Sequence, residues 1–122
     1  MEQWHTLLIA KPAAVREYPF GPDVAVYKVK NKMFATLSYG KLGALDAHYN
    51  MNLKCEPQQA IALRDIFASV IPGYHMNKKH WNTIILDGSI PEGEITRMID
   101  HSYQLVVSKL TKKEQASLAL HL

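Results

Sequence analysis

The stretch His48-Tyr49-Asn50-Met51-Asn52-Leu53-Lys54-Cys55 decides the fold, because every second residue in it is apolar. Tyr49, Met51, Leu53 and Cys55 alternate with His48, Asn50, Asn52 and Lys54, the period of a strand with one buried face and one polar face rich in hydrogen-bonding groups. Working backward, Met33, Ala35, Leu37 and Tyr39 alternate with Phe34, Thr36 and Ser38. Phe34 alone breaks the polar side, so a helix is expected to bury it. Ala25 to Val29 is a third β-rich run, and turn residues separate the three, which predicts an antiparallel meander.

Working forward, Pro57 suits a first helical turn, and Ala60, Leu63, Phe67 and Val70 then recur on one face, so a helix is expected from Pro57 to Ile71. Trp81 to Leu86 reads as a strand ended by Asp87-Gly88. From Pro91 a longer helix carries a buried stripe of Ile95, Met98, Ile99, Ser102 and Val106. Thr111 and Glu114 form the T-x-x-E capping box of a last helix. At the front, Glu2 to Ala10 reads as a short helix closed by Pro12, and Pro19 to Asp23 as a turn. The expected class is α+β: an antiparallel sheet, the meander plus a further strand or hairpin, with helices packed on one side. At 122 residues and 13.8 kDa the chain fits one domain, residues 1–122.

The single cysteine, Cys55, permits no intrachain disulfide and fits a reducing compartment. Only a short apolar run, Leu7 to Ala10, lies near the start, and no run of about 18 apolar residues occurs, so a soluble cytoplasmic protein with no membrane partner is expected. Cys55 sits on the apolar side of its strand and is expected to be buried and inert. No GxSxG, HExxH or phosphate-cradling glycine loop is present, so neither catalysis nor a cofactor is expected. His75 and His80 are five apart, about 140° on a helix and opposite faces on a strand, which disfavours a metal pair. His5, His48, His101 and His121 are scattered and expected to be solvated or locally hydrogen-bonded.

Net charge is only +3, so the distribution of charge carries the functional argument. Val24 to Cys55 holds five lysines against Asp46 alone, whereas Gly88 to Asp100 holds three acids against Arg97. Pro72 to Leu86 contains His75, Asn77, Lys78, Lys79, His80 and Asn82 with no acid at all, a pattern that attracts anions. Two expected hairpin tips echo one another: Lys30-Asn31-Lys32 and Asn77-Lys78-Lys79. Asn suits left-handed turns and an exposed ammonium reaches phosphate without reading sequence. The residues assigned to DNA are therefore Lys30, Asn31, Lys32, His75, Asn77, Lys78, Lys79, His80 and Asn82, with Asn77 and Asn82 as candidate readers of an adenine edge. Trp81 is read as a packing residue. Lysines at sheet tips also discourage edge-to-edge pairing, with no ligand involved. The competing function is a non-catalytic module in which the His/Asn/Lys cluster beside Trp81 holds a protein partner or a small anion.

The order of elements and several motifs resemble the MmcQ/YjbR family of small bacterial proteins. The resemblance rests on Lys11-Pro12-Ala13, Lys32-Met33-Phe34-Ala35, Leu53-Lys54 before Pro57, Ser102-Tyr103, and above all His75-Met76-Asn77-Lys78-Lys79-His80-Trp81 running to Leu86-Asp87-Gly88-Ser89-Ile90-Pro91. It implies a fold like bacterial frataxin (CyaY) and DNA binding through a double wing of hairpins. Iron binding, the other association of a frataxin-like fold, would need a ridge of hard acidic ligands that Glu2 and Glu17 do not form. Two departures are visible: Glu56 stands where a Ser or Thr cap would be usual before Pro57, and Tyr39 to His48 is a longer loop.

Overall fold

A computed structural model describes residues 2–40, 48–74 and 76–120. The elements in chain order are α1 (Glu2–Ile9), β1 (Val15–Glu17), β2 (Val24–Val29), β3 (Lys32–Tyr39), β4 (Tyr49–Lys54), α2 (Pro57–Ile66), β5 (Val70–Pro72), β6 (Trp81–Leu86), α3 (Glu92–Ser108) and α4 (Lys112–Ala119). The six strands form one antiparallel sheet in the order β1-β2-β3-β4-β6-β5. This is the expected α+β architecture, and the β2-β3-β4 meander is the expected one.

Register assigns the faces. Ala25 opposes Leu37, Leu37 opposes Met51 and Met51 opposes Ile84, so these four share the side that α3 covers with Ile95, Met98, Ile99, Tyr103 and Val106. Strict alternation would place Phe34 on the other side. The β2–β3 register slips between Tyr27 and Lys28, so that Tyr27 faces Ala35 but Lys28 faces Met33, and one residue of β3 is left over. That bulge turns Phe34 into the core, where it is fully buried with its ring edge-on to Tyr103 at 5.4 Å.

The bulge has a cost that α3 meets. The β3–β4 ladder ends at Ala35 opposite Leu53, so the next rung would join Phe34 C=O to Lys54 N–H. Ser102 stands in that rung: its hydroxyl donates to Phe34 O at 2.6 Å and accepts from Lys54 N at 2.9 Å. Ser102 is fully buried, so both backbone groups would otherwise lack a partner away from water.

One expectation needs correction, and one strand was not foreseen. The helix expected to reach Ile71 stops at Ile66, Phe67 adopts an extended backbone (φ −116°, ψ 118°), and Val70 lies in edge strand β5 rather than on a helix face. β-branched Val70 and Ile71 suit the strand, and their apolar run also fits helical spacing, so periodicity alone does not separate the two. Edge strand β1 is a three-residue exposed segment with no alternation to read. The remaining helices agree with expectation, including the Thr111/Glu114 capping box and the full buried stripe of α3. The long loop after Tyr39 lies almost wholly outside the described residues, but β3 and β4 pair directly on either side of it.

The β6–α3 corner is tied by Asp87, whose carboxylate accepts from Ser89 Oγ at 2.6 Å, Ser69 Oγ at 2.7 Å and Ser89 N at 3.0 Å. These bonds, Ser89 first, lower its pKa from 3.8 to about 2. Gly88 follows with φ +85°, a left-handed turn that favours glycine.

Two outcomes follow from these contacts. Ser102→Ala leaves Phe34 C=O and Lys54 N–H without their bridge and lowers stability by about 2–4 kcal/mol, read from urea unfolding; a loss within 0.5 kcal/mol, roughly that of a neutral surface change, contradicts the bridging role. Because the folded-state pKa of Asp87 lies below its unfolded value, its contribution is complete above about pH 4 and disappears as pH falls toward 2. The melting-temperature gap between wild type and Asp87→Asn therefore narrows over that window and stays flat above it.

Candidate nucleic-acid interface

Strand direction brings the two lysine-bearing turns to one end of the sheet. β2 ends and β3 begins at the Lys30-Asn31 turn; β4, antiparallel to β3, ends at Lys54 on that same side; β6 starts there, with Trp81 opposite Lys54; and β5 ends there at Pro72. The β2–β3 and β5–β6 connections thus leave the same edge, separated by three strand spacings, about 14 Å.

The first turn is a two-residue link with Lys30 at φ 48° and Asn31 at φ 65°, the left-handed pair of a type I′ hairpin. Lys30 is half-buried and its ammonium donates to Ser117 Oγ of α4 at 2.9 Å, so it is a fixed charge rather than a mobile one. Asn31 and Lys32 are exposed. Helix α4 packs beside this turn and brings Lys112 and Lys113, both exposed, to the same end. It also brings Glu114. That carboxyl is held below its usual range first by the Thr111 backbone and side chain, with the charges of Lys32 and Lys30 adding to the effect.

The second connection is an eight-residue loop, 73–80, rather than a tight hairpin. Asn77 Oδ1 accepts from Lys79 N at 2.9 Å and so folds the turn locally instead of pointing at a ligand. Lys78 Nζ donates back to Gly73 O at 2.9 Å, while Lys79 and His80 are exposed. His75 lies outside the described residues. Asn82 is corrected: it is 2% exposed, its Oδ1 accepts from Arg64 at 2.9 Å and its amide donates to Ala60 O at 3.3 Å, so it holds α2 to β6 and reads no base. Trp81 packs at the mouth of the loop, where Gly73 N donates to Trp81 O at 2.9 Å.

Of the nine expected contact residues, the structure brings the Lys30–Lys32 turn and Lys78–His80 to one end, and removes Asn82. It adds Lys112 and Lys113, which the sequence reading passed over because their helix had no expected place in space. Glu56, exposed just beyond β4, lies between the two turns and offsets part of the positive field. The opposite end carries Asp23, Asp87 and Glu92, so charge is segregated along the strand direction.

The polar face of the sheet is less available than its composition implies. Ser38 Oγ donates to Asn50 Oδ1 at 3.2 Å, Asn50 Nδ2 to Gly40 O at 3.0 Å, and Thr83 Oγ1 to Asn52 Oδ1, while Tyr74 N donates to Thr83 Oγ1 at 2.8 Å. Much of the hydrogen-bonding capacity of that face is used within the sheet. The cleft of about 400 Å³ above it is walled by Phe20, Met33, Tyr74 and Met76, not by Trp81. Among the described residues no group of three or more His, Cys, Asp or Glu is arranged to hold a metal, and no helix is long and apolar enough to cross a membrane. Cys55 is buried and its thiol is pushed up to about 11, chiefly by desolvation.

A small α+β domain with helices on one side of its sheet and lysines gathered at one end has clear relatives. The YjbR family model matches residues 9–105, and the chain belongs to that family. It is 38% identical over 98 residues to the uncharacterised Escherichia coli O157:H7 protein YbdF, covering 80% of this chain and 76% of that one. It is 32% identical over 107 residues to the uncharacterised protein YjbR of Escherichia coli strain K12, covering 88% and 86%. A crystal structure of a Deinococcus radiodurans protein superposes with a TM-score of 0.84 at 31% identity, covering 97% of this chain and 86% of that one.

The second turn depends on a close approach. A Cβ on Gly73 would lie 2.9 Å from both Trp81 Cβ and Trp81 O and 3.0 Å from Met76 Cβ. Gly73→Ala therefore lowers stability by about 1–3 kcal/mol. It also displaces the 73–80 loop, seen as amide shifts concentrated at Lys78–His80; shifts spread evenly over the sheet would argue against this account.

Proposed function

We propose that this protein binds double-stranded DNA through its phosphates, without reading sequence, using the lysine-bearing end of its sheet. The observation that carries this reading is the spacing of the two turns. About 14 Å between them compares with a major groove about 12 Å wide, so Lys32 on one turn and Lys79 on the other suit phosphates on opposite walls of a groove. Lys112 and Lys113 extend the positive field on the α4 side. Lys30 and Lys78, already engaged with Ser117 and Gly73, add charge at fixed positions rather than direct contacts. A flexible ammonium is a point charge, and with Asn82 consumed inside the fold no amide of β6 serves base readout.

In this reading the protein is a binder rather than an enzyme, acting in the cytoplasm with DNA as partner and no cofactor. A thiol held near pKa 11 is a poor nucleophile at neutral pH, which is consistent with that role.

Fluorescence anisotropy with a labelled random duplex at several salt concentrations tests the proposal. Engagement of Lys32, Lys79, Lys112 and Lys113 gives a slope of log K against log salt near −3.6, and the Lys32→Gln, Lys79→Gln double variant reduces its magnitude by about 1.8 whatever the duplex sequence. Glu56→Gln, removing the acid between the turns, tightens binding at low salt. A slope near zero, or a double variant that binds like wild type, overturns the reading.

A further inference from the structure

The cleft of about 540 Å³ between α2 and α3 is lined by Lys54, Gln59, Glu94 and Arg97 among apolar side chains, a mixture that selects no one ligand chemistry. His101 Nε2, on α3, is buried without a hydrogen-bond partner among the described residues, so it is neither solvated nor locally bonded as expected, and it is closed to a ligand in that cleft. The cleft of about 400 Å³ on the other face of the sheet is more selective, and its size falls within the range that holds small molecules. None of the described residues lining it is charged: Thr36, Ser38, Asn50 and Asn52 of β3 and β4 make its floor, and Phe20, Met33, Tyr74 and Met76 its walls.

Strand order sets two of the walls across from one another. Phe20 belongs to the β1–β2 connection, whereas Tyr74 follows β5 and is tied by its backbone N–H to Thr83 of β6, so the two aromatic residues flank β3 and β4 from opposite sides. Both are exposed. Met33 follows Lys32 and Met76 precedes Asn77-Lys78, so the cleft opens between the two lysine-bearing turns.

The floor keeps hydrogen-bonding capacity although Asn50 is spent on Ser38 and Gly40. Asn52 Oδ1 accepts from Thr83 Oγ1, but no described residue takes the Asn52 amide hydrogens. The Thr36 hydroxyl accepts from Asn52 N at 3.4 Å and donates to no described residue, while Ser38 Oγ donates to Asn50 and can still accept. Thr36 stands opposite Asn52, and Ser38 lies one same-face step along β3, about 7 Å away. Donors and an acceptor set out at that spacing between aromatic and methionine walls suit a nucleobase, which has a flat face to stack and an edge that both accepts and donates. A sugar would lay hydroxyls against walls that give them no partner, and an ion would find no counter-charge in the described lining.

We propose that this cleft binds a nucleobase, flanked by Phe20 and Tyr74 and hydrogen-bonded to Asn52 and Thr36. The base comes either from a free nucleoside or from an unpaired nucleotide of a strand held at the lysine turns. The second source rests on phosphate binding at those turns; the first does not.

Thymidine titrated into the full-length chain is followed by the Met33 and Met76 methyl resonances, with glucose as companion. Thymidine is expected to shift both and to saturate in the millimolar range, and glucose to leave them unmoved. Phe20→Ala, at a position 72% exposed and so spared from folding damage, is expected to weaken thymidine at least about fivefold, the low end for loss of one stacking platform. Asn52→Leu removes the amide hydrogens at similar volume and weakens it about three- to tenfold. Two duplexes separate the sources, one fully paired and one carrying a single unpaired thymidine. An unpaired base held in the cleft shifts Met33 and Met76 and tightens binding relative to the paired duplex, and Phe20→Ala removes that gain while leaving the paired duplex unaffected. Equal binding of the two duplexes beside a thymidine response assigns the site to free nucleosides. A thymidine response with no duplex binding refutes phosphate binding and leaves the base site standing. Duplex binding with no response of Met33 or Met76, either to the unpaired base or to thymidine at about 10 mM, overturns the base site and leaves phosphate binding standing. The base site is equally overturned if glucose shifts the two methyls as thymidine does, or if Phe20→Ala and Asn52→Leu both bind thymidine like wild type.

Discussion

One hydroxyl joins the two layers of this protein. Ser102 reaches from α3 into the sheet and replaces the rung lost where Phe34 bulges out of register. Remove the bulge and Phe34 would point away from the core; remove the hydroxyl and the bulge would strand a buried carbonyl and a buried amide. The neighbouring Tyr103 completes the arrangement, stacking edge-on to Phe34 and donating its hydroxyl to Pro12 O at 2.6 Å, which ties the segment after α1 to the same helix. The Ser102-Tyr103 pair is thus a structural device that ties α3 both to the sheet and to the segment after α1.

Direction follows from that anchor. Helix α3 starts beyond the Leu86 end of the sheet and reaches the Phe34 and Lys54 end at Ser102, so its last turn and α4 emerge beside the Lys30-Asn31 turn. The same alternation of strand directions brings loop 73–80 to that edge. Antiparallel strands return each connection to one side or the other, which brings the lysines of both turns to one end, with Glu56 and Glu114 among them, and places Asp23, Asp87 and Glu92 at the other. A net charge of +3 is unremarkable in bulk, and segregation gives it the field that a polyanion would meet.

The lysine-bearing end of the sheet and the α2–α3 cleft differ in how visible they were beforehand. The lysine turns stood out in the sequence because Asn beside Lys between β-rich runs is both a turn signal and a charge signal. The α2–α3 cleft did not. His101 looked like one more scattered histidine; its spacing from Glu94, Arg97 and Met98 marks a common side of one helix, but nothing local says that α2 stops at Ile66 and leaves that side uncovered. Asn82 misled in the opposite sense, since its place in a polar, cationic stretch gave no hint that Arg64, eighteen residues away, would claim its carbonyl.

What the sequence determined by itself was local and periodic: the alternation of β3 and β4, the stripe of α3, the Thr111 cap, and the need to bury Phe34. These follow from dihedral preference and from which face must leave water, both of which act over a few residues. Tertiary structure alone decided which turns share an edge, where α2 ends, and which amides are consumed. Those outcomes depend on contacts between residues far apart in the chain, and such contacts exist only once strand order and helix direction are set.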